Sequence, residues 1–181
     1  IKNYWERKTE PTRSVEPYLK EFIPSFLYEN VLDLGCGNGR STEAIASLAK
    51  NIYCVDISLN MLIQLQTRKI PNAIPINADA KDLPFPDNFF DLIISLSMVE
   101  HIPYNELLAV FTEVYRVLKI NGLFLVRNDA WFYGVLEKLR ILPGQYGRDP
   151  DPTHVNMMNA WRFKDLLKKA NFEIIKEDHF P

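Results

Sequence analysis

Cysteine is scarce in this chain: there are two, Cys36 and Cys54, among 181 residues. Neither belongs to a Cys-x-x-Cys pair, and no Cys/His cluster has zinc-ligand spacing, so the pattern excludes a disulfide framework and a conventional structural zinc site. A reduced, cytoplasmic setting is the default for such usage. Long apolar runs are missing as well, and nothing reaches the roughly 20 residues that cross a bilayer. The opening IKNYWERKTE lacks the form of a signal peptide. Ile1 stands where a methionine would, and the chain stops at Pro181 just past an apparent strand; both point to trimming at one or both ends. Charge of one sign is absent too: 21 basic and 23 acidic residues leave a net −2, which argues against holding a phosphate backbone by bulk electrostatics. Lys2, Arg7, Lys8 and Arg13 make a short basic run, best read as a solvated leading segment. Repeats and low-complexity tracts are also lacking.

What is present is an ordinary globular composition, 47% apolar and 24% charged, and a length suited to one domain. Short apolar runs alternate with longer helical patterns, the mark of βαβ units. The fold class is therefore α/β, a Rossmann-like, doubly wound, mostly parallel sheet. Strands are expected over 31–34, 52–55, 74–77, 91–96 and 122–127. Helices are expected over 41–50, over the stretch capped by Ser58 that buries Met61, Leu62 and Leu65, and over 103–119 with Leu107, Leu108, Phe111, Val114, Tyr115 and Leu118 inward. Gly122 is the expected left-handed stop of that last helix. LPFPDN at 83–88 is turn chemistry. An aromatic-rich helix over 130–142, a loop over 143–153, a helix over 159–169 and a terminal strand over 172–176 complete the reading.

Only seven glycines occur, and three crowd into VLDLGCGNGR at 31–40. A turn bare at 35, 37 and 39 lets a ligand approach the backbone, with the next helix's unpaired N–H groups behind it. Dinucleotide binders favour G-x-G-x-x-G, whereas Arg40 takes the third glycine's place here. Asp33 precedes the turn; its carboxylate repels a pyrophosphate and suits a ligand carrying an ammonium group. Asp56 ends the second strand, where a doubly wound fold places an acid for ribose hydroxyls.

These segments resemble the class I methyltransferases, specifically the small-domain group typified by ubiquinone and menaquinone biosynthesis methyltransferases. VLDLGCGNGR resembles the cofactor loop, VDISLNML the ribose segment, NADAKDLPFPDNFFDLIISLSMVEHI the adenine loop and fourth strand, and VLKINGLFLV the fifth strand. Together they cover most of 31–127. The resemblance implies methyl transfer from S-adenosylmethionine, leaving S-adenosylhomocysteine. It implies that Asp33, Gly35, Cys36 and Gly37 line the methionine end, that Asp56 holds the ribose with Ile57 beside the adenine, that Asp79 and Ala80 meet the adenine, and that Ser97 faces the methionine part. Met61 closes the adenine pocket or is helix core. Asn121 replaces a proline usual in the family, and only the first strand of its closing antiparallel pair is visible. The single domain then divides into an N-terminal helical cap (1–30), a cofactor-binding core (31–127), a substrate-side insertion (128–158) and a final helix and strand (159–181).

The donor is already activated, so positioning supplies much of the rate, and a base is needed only where the acceptor loses a proton. Glu100 and His101, just past the fourth strand, and His154 in the insertion are the candidates. The alternatives are a turn leading into the following helix and a pin for the loop. Asp149, Asp151 and His154 as metal ligands are set aside as an acidic loop, so no metal is expected. Trp131, Phe132, Tyr133, Tyr146, Tyr4 and Trp5 are candidate walls for an apolar acceptor, and Arg127, Arg140 or Arg148 for an acidic one; core packing is the competing role of each aromatic. A small-molecule acceptor fits the charge best, with tRNA or protein as alternatives. A non-catalytic cofactor-binding module remains open. A reductase is the distant rival, on the Tyr115-x-x-x-Lys119 spacing.

Overall fold

The computed structural model describes residues 19, 22–127, 153–156 and 158–177. Five strands form one sheet in the order β3-β2-β1-β4-β5: β1 (Tyr28–Leu34), β2 (Ala49–Asp56), β3 (Ala73–Asn77), β4 (Phe90–Leu96) and β5 (Leu118–Arg127). Every pairing is parallel. Helices α1 (Arg40–Ile45), α2 (Leu59–Thr67), α3 (Tyr104–Val117) and α4 (Ala160–Lys169) connect and cover it.

Side chains alternate across a strand, so each strand feeds two cores. Val31, Ile52, Cys54, Leu92 and Ile94 join Ile45 of α1 and Leu62 and Leu65 of α2 on one face. Leu32, Leu34, Val55 and Ile93 join Leu107, Val110, Phe111 and Val114 of α3 and Leu166 and Leu167 of α4 on the other. Burial on both faces explains why DLIISL reads as a nearly continuous apolar run. Ser58 caps α2, its Oγ accepting from Met61 N at 3.4 Å, and Asn159 caps α4, its Oδ1 accepting from Arg162 N at 3.0 Å.

Several expectations need correcting. The helix after the glycine turn stops at Ile45; a 3-10 turn, Ala46–Leu48, and strand β2 take the rest. Pairing of Tyr28 with Ala49 and of Asn30 with Asn51 extends both strands through polar residues, aided by a Lys50–Glu29 ion pair of 2.6 Å, and apolar periodicity cannot see that extension. In α3 the buried stripe is Leu107, Val110, Phe111, Val114 and Val117; Leu108 (40% exposed) and Tyr115 (48%) lie outside it. Asn121, not Gly122, takes the left-handed conformation, with φ 63°. Gly122 is there for space, since a Cβ would stand 2.8 Å from the Leu118 side chain. Residues 172–177 join no sheet ladder among the described residues, so the expected terminal strand is not formed there. The aromatic helix and loop of the insertion, with Trp131, Phe132, Tyr133, Arg140, Tyr146, Arg148, Asp149 and Asp151, lie outside the described residues, as do Tyr4 and Trp5.

Candidate functional site

In an all-parallel sheet every strand ends on the same edge. The glycine turn follows β1, Asp56 ends β2, Asp79 follows β3 and Ser97 follows β4, so all four groups are delivered to one side of the molecule. The strand order reverses between β1 and β4, the place where a doubly wound fold opens a crevice.

The turn is tied to β2. Gly35 N and Cys36 N donate to Val55 O at 2.8 and 3.1 Å, and Gly37 N donates to Asp56 Oδ2 at 2.9 Å. Gly35 and Gly37 both have positive φ, 72° and 52°. Their surroundings differ. A Cβ on Gly35 would lie 2.7 Å from the Met98 side chain, whereas a Cβ on Gly37 would meet nothing within 4 Å. The backbone at Gly37 therefore borders open space, the approach a ligand needs.

Two carboxylates belong to the turn's surroundings: Asp56 holds Gly37, and Asp33 lies beneath the turn's start. Asp33 is fully buried; its Oδ2 accepts from Ser41 Oγ at 2.7 Å and Thr42 Oγ1 at 2.6 Å, while its buried Oδ1 accepts no hydrogen bond among the described residues. Burial pushes its pKa from 3.8 up to about 6, against the pull of the two hydroxyl donors. Asp56 Oδ1 accepts from Ser58 N at 2.8 Å, and burial raises its pKa too, opposed by the backbone donors at Ser58, Gly37 and Ile57. An ionised carboxylate offers about four acceptor positions, so each acid keeps acceptor capacity after serving the fold. Two carboxylates with lone pairs to spare suit an ammonium group and sugar hydroxyls, the donor set of S-adenosylmethionine, and oppose a pyrophosphate.

The other expected residues are placed as follows. Cys36 is buried within the turn, and burial raises its thiol well above the ordinary range. Ile57 is exposed beside Asp56, as an apolar wall for a planar ring would be. Met61 is fully buried on the inward side of α2, which is the helix-core placement. Asp79 Oδ1 accepts from Lys81 N at 2.9 Å, and its carboxylate stays partly exposed. Ala80 packs at the margin of the α3-side core. Ser97 takes φ 58° at the end of β4, and its Oγ accepts from Arg127 Nη2 at the end of β5.

The three candidate bases come together. Glu100 and His101 lie in the 3-10 turn Val99–His101, and a ligating atom from each of Glu100, His101 and His154 lies within 4.8 Å of the others. The segment is pinned by the residues after His154, Val155 N and Asn156 N donating to Glu100 O at 3.0 and 3.1 Å. Sequence reasoning missed Met98, Thr153, and the Ser41/Thr42 pair. The last had a visible signal, two hydroxyls at the start of a helix behind a buried acid. The Tyr115/Lys119 pair of the reductase reading sits on the half-exposed side of α3 and at the start of β5, and Lys119 is occupied by Asp91 at 2.6 Å.

Known proteins agree with this architecture. A family model described as a methyltransferase domain matches residues 32–126. A Mycobacterium tuberculosis protein named a probable S-adenosylmethionine-dependent methyltransferase is 27% identical over 174 residues, 95% of this chain and 57% of its own length. A human mitochondrial arginine-hydroxylase is 30% identical over 135 residues, 68% of this chain and 38% of its own. The chain thus spans about half the length of the mycobacterial relative and less of the human one. Among solved structures, an S-adenosylmethionine-dependent methyltransferase from Mesorhizobium loti superposes with a TM-score of 0.72 at 21% identity, over 91% of this chain and 83% of that one. With the matched segment reaching from within β1 to within β5, over half of the chain, the chain belongs to the methyltransferase domain family, with the class I fold and S-adenosylmethionine as the family's cofactor.

Proposed function

We propose that this chain binds S-adenosylmethionine at the carboxyl edge of its sheet and directs methyl transfer to a small-molecule acceptor. The observation that carries this reading is the open backbone at Gly37, whose N–H donates to the half-buried Asp56, with the fully buried Asp33 leading into the same turn. When bound, the cofactor supplies a methyl group already activated by its sulfonium. The chain's own residues hold and aim. Gly35, Cys36 and Gly37 line the methionine end with backbone. Asp33 Oδ1 orients the amino group, directly or through water. Asp56 accepts from the ribose, Ile57 flanks the adenine, and Asp79 and the Ala80 backbone meet its polar edge. Ser97, fixed by Arg127, faces the methionine part, and the same Arg127 gives the acceptor side a cation for an acidic group. Positioning of this kind supplies much of the rate in an in-line displacement. Glu100, His101 and His154 stand past β4 on that edge, where a proton can be taken from an acceptor that must lose one. The near-zero net charge supports a small acceptor over a nucleic acid. The arginine-hydroxylase relative favours a second reading, a protein side chain as the acceptor.

The test pairs binding with turnover. Calorimetry should detect S-adenosylhomocysteine binding, weakened about 5- to 150-fold in Asp56→Ala, or about 1–3 kcal/mol. Labelled methyl transfer should then appear with a small-molecule panel. Transfer only to peptides would favour the second reading. Binding without turnover on either panel would favour a non-catalytic module, and no binding would overturn the proposal.

A further inference from the structure

Just past β4, in the 3-10 turn that follows Met98, the fold gathers a second group of chemistry-bearing side chains that cofactor binding does not use. Glu100 and His101 leave the sheet in one 3-10 turn, and His154 returns to them from 53 positions along the chain. Their ligating atoms all lie within 4.8 Å of one another, and the two imidazole rings stand 4.8 Å apart at 58°. Glu100 is fully buried, so its carboxylate is held inside the fold beside the two imidazoles.

The neighbours support the group as well. Glu100 O accepts from Val155 N and Asn156 N, which clamps the returning segment onto the turn. His101 Nδ1 lies 2.9 Å from Thr153 Oγ1 and 3.3 Å from Thr153 O. A partner on one ring nitrogen fixes tautomer and ring direction and aims the other nitrogen, which is how metal-ligating histidines are usually held. Thr153 is itself buried, so this support is built into the fold.

We propose that Glu100, His101 and His154 bind a divalent transition-metal ion. Two imidazoles and one carboxylate are the donor set of zinc, iron, cobalt and manganese rather than of magnesium or calcium, which prefer all-oxygen shells. Ligands about 2.0–2.2 Å from a tetrahedral ion stand roughly 3.3–3.6 Å apart, so the cluster has to close by about an ångström, within reach of side-chain rotation. Three protein ligands leave a coordination position for water or for a heteroatom of the acceptor. Resting on the methyl-transfer reading, the ion would lower the pKa of an acceptor hydroxyl and make it a better nucleophile at neutral pH. The site itself does not depend on that role.

The experiment titrates the metal-free full chain with Co²⁺, then displaces it with Zn²⁺, while S-adenosylhomocysteine binding is measured on the same samples. The expected result is one Co²⁺ per chain, with visible ligand-field bands of nitrogen and oxygen coordination and no thiolate charge-transfer band from Cys36 or Cys54. His154→Ala should weaken Co²⁺ binding at least about tenfold and leave S-adenosylhomocysteine affinity unchanged. Glu100→Gln, checked for folding by circular dichroism, should do the same. Absence of stoichiometric binding, a thiolate spectrum, or unchanged Co²⁺ affinity in His154→Ala would each overturn the metal site. Any of these with S-adenosylhomocysteine binding intact leaves the cofactor reading standing, so the two can fail separately.

Discussion

Gly35 and Gly37 are indistinguishable as letters in VLDLGCGNGR, yet one is packed against Met98 and the other borders open space. Both sit in the left-handed region, where any other residue costs about 1–2 kcal/mol. In Gly35→Ala that cost is joined by a collision 2.7 Å from Met98, so the variant should lose clearly more stability than Gly37→Ala. Gly37→Ala should fold with only the backbone penalty and lose most of its S-adenosylhomocysteine affinity, because its methyl group enters the open space. Urea unfolding and calorimetry on the two variants check both halves; equal stability losses would contradict the assignment. Asp33 yields a pH prediction. Its carboxyl titrates near 6 in the fold and near 3.8 when unfolded, so between those values the folded state holds the extra proton. Its contribution to stability is therefore complete below pH 3.8 and is lost as pH rises through about 6. Asp33→Asn should remove that slope, so its melting temperature should gain on the parent's between pH 4 and pH 7. Because an ammonium partner needs the ionised form, S-adenosylhomocysteine affinity should fall by up to about tenfold per pH unit below about 6. A flat affinity profile would mean Asp33 does not meet the amine as a charge.

At the scale of elements, the loop at 83–88 shows how a turn-rich stretch becomes rigid. Arg116 of α3 donates to Leu83 O at 3.1 Å and Phe85 O at 2.8 Å, and pairs with Asp87 at 2.8 Å. Glu113 closes the circuit, pairing with Arg116 at 2.8 Å and accepting from Leu83 N at 3.0 Å. These partners raise the guanidinium's pKa above its ordinary value and lower that of Glu113, with the Arg116–Glu113 hydrogen bond the largest cause in both. Phe85 then packs edge-on against Tyr53 and Phe90 at 5.4 and 4.7 Å. Arg116→Ala should cost about 1–3 kcal/mol and speed hydrogen exchange in 82–88 before elsewhere, since it strands carbonyls in a partly buried loop. Exchange rising evenly across the domain would contradict a local role. The sequence carried much at this scale, because buried strands and the α2 cap write themselves in apolar runs and a serine. It did not carry the ends of β1 and β2, where Glu29, Asn30, Lys50 and Asn51 meet through backbone pairing and polar side-chain contacts that apolar periodicity does not register. Nor could periodicity separate Leu107 from Leu108, since the choice depends on which residues β4, β5 and α4 offer in return.

At the scale of the whole molecule, parallel topology delivers to one edge residues from positions 33 to 97 that share no local pattern. The acids, glycines and spacing were legible because each sits at a strand end. The meeting of His154 with Glu100 and His101 was not, since it depends on a chain return that no periodicity encodes. The same topology predicts a global response to ligand. A ligand that bridges the ends of β1, β2 and β4 must leave before those strands separate, so it stabilises the folded state by mass action. At 100 times its dissociation constant the gain is about 2.7 kcal/mol. For a domain of this size each kcal/mol moves the melting temperature by about 2–4 °C. S-adenosylhomocysteine near saturation at pH 7.5 should therefore raise it by about 5–10 °C. NADH at the same concentration should leave it unmoved, because its pyrophosphate would meet the Asp56 carboxylate at the bare turn, with the buried Asp33 beneath it. A shift with NADH alone would return the chain to the nucleotide-dependent reductases. A shift with S-adenosylhomocysteine that persists in Gly37→Ala would place the ligand somewhere other than the turn.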